Sequence, residues 1–192
     1  MSRTRLLALS GSVREGSYNQ RLVDLAAGYA REAGAEVTSV RLDEFDLPLY
    51  DPTRESNAFP EGARQLKAHF ASHEGFLIAT PEHNGSVSTV LKNTIDWVSR
   101  SIDDEPPLAL TGFRGKIAGL MSASPSPFGG LRSVTHLRQI LGTVQALVVT
   151  EQVCVPFADK AFDGADLPND LLKQIMSALV SRVIQLSELH NR

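Results

Sequence analysis

Two hydrophobic periods alternate along the chain. Short apolar runs that suit strands occur at 5–10 ("RLLALS"), 75–80 ("GFLIAT"), 116–124 ("KIAGLMSAS") and 143–149 ("TVQALVV"), while "EVTSVRL" at 36–42 is β-branched and alternating. Between them the apolar residues take helical spacing. Leu22, Leu25, Ala26 and Ala30 mark a helix over 18–33 that Gly34 stops. Further helices are predicted over 61–73, over 88–100 with Val90, Leu91, Ile95 and Val98 on one side, and over 131–142 with Gly142 as its stop. Leu171, Leu172, Ile175, Leu179, Val183 and Leu186 space out a long tail helix from about Leu167 to His190. The stretch 43–62 holds three prolines among Asp, Glu and Ser and reads as turns.

Strand and helix thus alternate five times, without an internal repeat or a Gly/Ser linker. That order favours a parallel sheet covered by helices on both faces. The expected fold is a flavodoxin-like three-layer α/β sandwich, with a five-stranded parallel sheet in the order 2-1-3-4-5, over a single domain spanning 1–192. Ligands of such sheets bind outside the carboxyl ends of the strands, so functional residues are expected after the first, third and fourth strands.

The loop after the first strand, "SGSVREGSYN", leads into a helix start, where free N–H groups and the helix dipole favour an anion. Ser10, Ser12, Ser17 and Asn19 add hydroxyl and amide donors, and Arg14 adds a planar cation suited to phosphate. The loop is neither GxGxxG nor GxxxxGK[ST], so a phosphate monoester fits better than a pyrophosphate or a nucleoside triphosphate. A plainer reading makes Ser17 or Asn19 a helix cap and the rest a solvated turn. After the third strand, "TPEHNG" places Pro81, Glu82, His83, Asn84 and Gly85 where backbone groups can be held at set angles against a flat ligand. After the fourth, "SASPSPFGG" carries serines, prolines and a Gly-Gly pair, informative chiefly through its position beside the other two loops.

Composition narrows the classes. The 192 residues are 42% hydrophobic and 21% charged, an ordinary globular balance with material for a core. A net charge of −3 without a basic run argues against nucleic acid or an anionic membrane as partner. A single cysteine, Cys154, excludes an intramolecular disulfide and a cysteine-based zinc cluster. His83 and Glu82 lack a ligand spacing, and His69 and His136 fall within helical patterns, so no metal is expected. The apolar run at the N-terminus is too short for a signal peptide or a membrane span, which points to the cytoplasm. No GxSxG elbow anchors a Ser-His-Asp triad.

Together "SGSVREGSYN", "TPEHNGSVSTVLKNTIDW" and "SPFGGLRSVTHLRQIL" resemble the NADPH-dependent FMN reductase family, closest to its quinone, chromate and azo-reductase branch. The resemblance implies bound FMN with NADPH or NADH as hydride donor, and two-electron ping-pong transfer to quinones, azo compounds or chromate. It implies that Ser12, Arg14, Ser17 and Asn19, with Ser10 and Tyr18 beside them, hold the cofactor at its phosphate end. Pro81, Glu82, His83 and Asn84 would line the ring largely through main-chain groups, and Ser124 would stand on its other side. Lys92, Asn93 and Asp96 are read as structural support, and no side chain as a catalytic residue. A homodimer or homotetramer acting on a small-molecule acceptor is implied as well. Two positions depart from the family pattern: His83 stands where tyrosine is usual, and Ser88 where proline is usual. Within the same fold, a flavodoxin-type electron carrier and a reductase supplying reduced FMN to a monooxygenase are the alternatives.

Overall fold

The run Leu6–Leu9 is apolar on both sides of an extended chain, so a strand built from it must be covered twice. A computed structural model describes residues 3–162, 166–167 and 169–190 and shows that arrangement. Strands β1 (Arg5–Ser10), β2 (Glu36–Arg41), β3 (Gly75–Ala79), β4 (Ile117–Ala123) and β5 (Leu147–Val155) form one parallel sheet in the order β2-β1-β3-β4-β5. The helices are α1 (Tyr18–Glu32), α2 (Pro52–Asn57), α3 (Glu61–Ser72), α4 (Thr89–Val98), α5 (Leu131–Thr143), α6 (Ala158–Ala161) and α7 (Asp170–His190). The flavodoxin-like fold and its strand order are as the pattern predicts.

Side-chain alternation sorts the core into two layers. Leu6 and Ala8 of β1, with Leu77 and Ala79 of β3, face Leu22, Val23 and Ala26 of α1 and Leu179 and Val183 of α7. Leu7 and Leu9, with Phe76 and Ile78, face Leu66 and Phe70 of α3, Leu91 and Ile95 of α4, and Leu137 of α5. Each of these side chains is almost wholly withdrawn from water, worth about 1.5–3 kcal/mol apiece for the larger ones. Trp97 belongs to this core: it is fully buried, and its indole N–H donates to Pro48 O at 2.7 Å. That bond, with edge contacts from Tyr50 and Phe59, anchors the proline-bearing stretch beside α4.

Most boundaries fall within a residue or two of the pattern, and some elements depart further from it. The turn-rich stretch contains α2, capped by Asp51 Oδ1, which accepts from Thr53 N at 2.8 Å, with Pro52 at its first position. Of the predicted tail helix, Leu167 and Asn169 precede the helical part and Pro168 lies outside the described residues. The largest difference is the fifth strand, predicted over 143–149 and found at Leu147–Val155. Helix α5 runs through Gly142, and Gln145 supplies the left-handed residue with φ 65°. Ala146 N–H then donates to Leu141 O at 3.0 Å, and both residues are buried, which closes the helix at Thr143, just past the expected stop. β5 is the edge strand of the sheet, so Thr150, Glu151 and Gln152 sit mid-strand without being apolar. Here the pairing also slips: Ala118 to Leu120 spans two residues on β4, and their partners Val148 to Gln152 span four on β5. Arg138 fills the slip, donating to Val149 O at 2.7 Å and to Gln152 Oε1 at 3.2 Å.

At the opposite end of the sheet from the informative loops, His73 ends α3. Its Nδ1 lies 2.6 Å from His69 O and its Nε2 2.8 Å from Thr38 Oγ1. A carbonyl can only accept, so Nδ1 carries the proton and Nε2 accepts from the threonine. Burial pushes the imidazole below its ordinary pKa, although the His69 carbonyl and Glu74 pull the other way. The folded state therefore takes up a proton less readily than the unfolded chain. Stability is full above the unfolded histidine pKa, about 6.5, and declines as pH falls below it. Thermal melts between pH 7.5 and 5 should show this slope, and His73→Gln should flatten it.

Candidate functional site

Polar residues that cannot enter the two-sided core gather at the carboxyl ends of β1, β3 and β4. After β1, Ser17 caps α1, its Oγ accepting from Gln20 N at 3.3 Å. No acidic residue occupies the first turn of α1, so its outward N–H groups face no competing carboxylate from their own helix. Ser10 is buried at the strand end, where its Oγ accepts from Ser12 N at 3.1 Å and shapes the turn. The Arg14 guanidinium stands exposed, 5.6 Å from the centre of the Tyr18 ring.

After β3, Thr80 is wholly buried, its N–H donating to Met121 O at 2.9 Å. Asn84 and Gly85 both have positive φ, 51° and 78°. His83 and Ser86 exchange backbone bonds of 2.9 and 3.0 Å across them. This is the two-residue turn that Asn-Gly favours, because each centre must be left-handed. The Glu82 side chain is only 6% exposed, and its carboxylate accepts from the Arg132 Nε at 2.8 Å, from Nη2, and from the backbone N at 3.2 Å. One turn along α5, His136 Nδ1 meets Ser86 Oγ at 3.0 Å. Helix α5 thus holds the 81–86 loop at two points.

After β4, Asn19 reaches from α1 to the strand end. Its Nδ2 donates to Ala123 O and its Oδ1 accepts from Ala123 N, both at 2.9 Å. Ser124 N–H donates to Val155 O at 3.1 Å, and Ser124 Oγ accepts from Ser126 N at 3.2 Å. The three loops enclose a cavity of about 490 Å³, within the ordinary range for a small-molecule site. Ser12, Arg14, Ser17, Tyr18 and Asn19 line it from the first loop, Pro81, Glu82 and His83 from the second, and Ser124 from the third.

A sequence profile described as NADPH-dependent FMN reductase matches residues 4–160. The chain belongs to the NADPH-dependent FMN reductase family. Among curated relatives, the NAD(P)H-dependent FMN reductase of Pseudomonas aeruginosa is 33% identical over 182 residues, covering 91% of this chain and 92% of the relative. A quinone reductase of Escherichia coli is 36% identical over 148 residues, covering 77% and 74%. Among solved structures, the flavoenzyme NAD(P)H:(acceptor) oxidoreductase FerB from Paracoccus denitrificans superposes with a TM-score of 0.81 at 23% identity, covering 97% of this chain and 98% of that one. With membership of the FMN reductase family come an oxidoreductase reaction, FMN as cofactor and a reduced nicotinamide as donor.

The residues present fit FMN by their donor chemistry. At one end of the cavity hydroxyls, a guanidinium and a helix start converge, as a phosphate dianion requires. From the ends of β3 and β4 and the start of α4, Pro81, Ala123, Pro125 and Val90 line it, with Glu82 the one carboxylate and that one held by Arg132, as a flat heterocycle requires. Of the residues expected from the FMN reductase resemblance, Ser10 and Asn84 do not line the cavity but shape the turns that do. Asn19 and Glu82 line it while their polar atoms brace neighbouring elements. Gly11, Val13, Ser88, Thr89, Val90, Ala123 and Pro125 also line it. Their type carried no chemical signal, and their place next to the expected residues was the one clue. Asp103 and Glu105 lie away from the cavity, paired with Arg64 and Lys67 of α3. Cys154 on β5 pairs with Ser122 in register, and burial, with Glu82 nearby, pushes its thiol up to about 11. Among the described residues no three His, Cys, Asp or Glu side chains are grouped to hold a metal ion.

Removing Arg132 would leave the buried Glu82 carboxylate without its charged partner. Arg132→Ala should therefore cost about 1–3 kcal/mol, read as a lower midpoint in urea unfolding. Adding Glu82→Gln to that variant should recover part of the loss.

Proposed function

We propose that this chain is an NAD(P)H-dependent quinone reductase of the FMN reductase family, taking small-molecule acceptors such as quinones, azo compounds or chromate. The observation that carries the reading is the convergence of Ser12, Arg14, Ser17 and the start of α1 at one end of the cavity that the other two loops complete. When bound, FMN supplies the redox chemistry, accepting hydride from the nicotinamide and yielding two electrons to the acceptor.

The chain's own residues bind, orient and shield. Arg14 and the hydroxyls of Ser12 and Ser17 hold the phosphate, with Tyr18 beside them and Ser10 keeping the turn in shape. Asn19 fixes the distance between that turn and Ser124. The backbone of the 81–83 loop runs along the ring edge with the Glu82 N–H as its main-chain donor, the His83 peptide groups being taken by Ser86, and the Asn84–Gly85 turn and Arg132 keep that loop from moving. Pre-set donors of this kind lower the energy of charge that develops on a ligand without reorganising during the reaction. His83 lines the same space. Donor and acceptor use one opening in turn, hence ping-pong kinetics. A homodimer or homotetramer is proposed from the family, with exposed Leu49 and Phe128 near the loops as candidate contacts. Among the described residues no helix is long and apolar enough to cross a membrane, and we place the protein in the cytoplasm.

The purified protein should be yellow and should bleach on anaerobic addition of NADPH or NADH, recovering its colour when a quinone is added. Arg14→Ala combined with Ser17→Ala removes a charged and a neutral donor from the phosphate, and should weaken FMN binding by about 10- to 100-fold. A colourless protein that takes up no FMN, or a double variant with unchanged affinity, would overturn the assignment.

A further inference from the structure

Ser88 stands where two cavity walls meet. It is 1% exposed, and its hydroxyl makes two bonds. As the cap of α4 its Oγ accepts from Leu91 N at 3.2 Å, and the same hydroxyl donates to Gly11 O at 2.6 Å. The second bond leaves the helix altogether and reaches the first loop, 77 residues earlier in the chain.

Gly11 is wedged at this point. Its N–H continues the sheet by donating to Ala79 O at 2.8 Å. A Cβ on it would lie 3.0 Å from Leu91 Cβ and 3.1 Å from Ser88 Oγ, so the backbone approaches α4 as closely as a residue without a side chain allows. The peptide unit between Gly11 and Ser12 is planar, and fixing its carbonyl fixes the direction of its N–H. That N–H is the one that meets Ser10 Oγ at 3.1 Å. Both ends of a single peptide plane are therefore pinned, by Ser88 on one side and Ser10 on the other. The turn carrying Ser12, Val13 and Arg14 into the cavity starts from this plane.

We infer that Ser88 is a positioning residue for FMN: its hydroxyl sets the pose of the phosphate-binding turn before the cofactor arrives. The inference rests on the reading of that turn as the phosphate site. A residue without a hydroxyl at 88 would leave the Gly11 carbonyl without this partner, so preorganisation of the turn depends on one side chain.

Apoprotein of the wild type, Ser88→Ala, Ser88→Pro and Ser88→Thr is titrated with FMN and, in parallel, with riboflavin, which has the same ring and no phosphate. Ser88→Ala and Ser88→Pro are expected to bind FMN about 5- to 20-fold more weakly while riboflavin binding changes less than about twofold, and Ser88→Thr, which keeps the hydroxyl, should restore FMN affinity. Amide hydrogen exchange on the same apoproteins should show faster exchange at Ser12 in Ser88→Ala than in the wild type. Equal losses for both ligands, or unchanged affinity for both, would reduce Ser88 to a helix cap and overturn the inference, as would unchanged exchange at Ser12. If the wild type itself binds riboflavin as well as FMN, the phosphate reading of the turn fails, which is a separate result.

Discussion

Strands β1 and β3 lie side by side at the centre of the sheet with both faces buried, and everything polar in this part of the chain has to go to their ends. The strands are short, so the carboxyl ends of β1, β3 and β4 come level, and three loops far apart in sequence share one space. Long-range pairs bear this out: Asn19 bonds Ala123, Ser88 bonds Gly11, and Glu82 bonds Arg132. The cavity is the gap that remains once these connections are made. Its shape follows from the sheet, and its chemistry from the residues left over.

How much of this could be read from the chain depends on how far each signal is local. β1 was legible to the residue because an apolar run ends in Ser10 and Gly11. So was the start of α1, where Ser17 is a cap of ordinary type. β5 was not legible, since Gln145 rather than Gly142 closes α5, and an edge strand need not be apolar at Thr150–Gln152. Propensity alone would put glycine at a left-handed position, and only the packing of Leu141 against Ala146 explains why glutamine serves there.

Within the site the sequence separates residue types but not their duties. Serines, asparagines and a glutamate near a phosphate loop invite assignment to the ligand. Ser10, Asn19 and Asn84 instead commit their polar atoms or backbone to the protein's own turns and strand ends, and Glu82 its carboxylate to Arg132. Such residues matter to binding because they hold other groups still. The plainer reading of Ser17 as a cap was right about its bond and does not conflict with a ligand role, since a hydroxyl can accept from the helix and still donate outward. Two lining residues do such holding as well: the His83 backbone closes the Asn-Gly turn, and Ser88 joins two loops.

Cys154 shows what the same packing does for chemical durability. Quinones are electrophiles that alkylate thiolates, and the one thiol in the chain sits on a strand adjoining the cavity wall. Burial pushes that thiol up to about 11, so the reactive anion is scarce at neutral pH. A thiol held neutral in this way is a poor nucleophile toward any electrophile that reaches the strand.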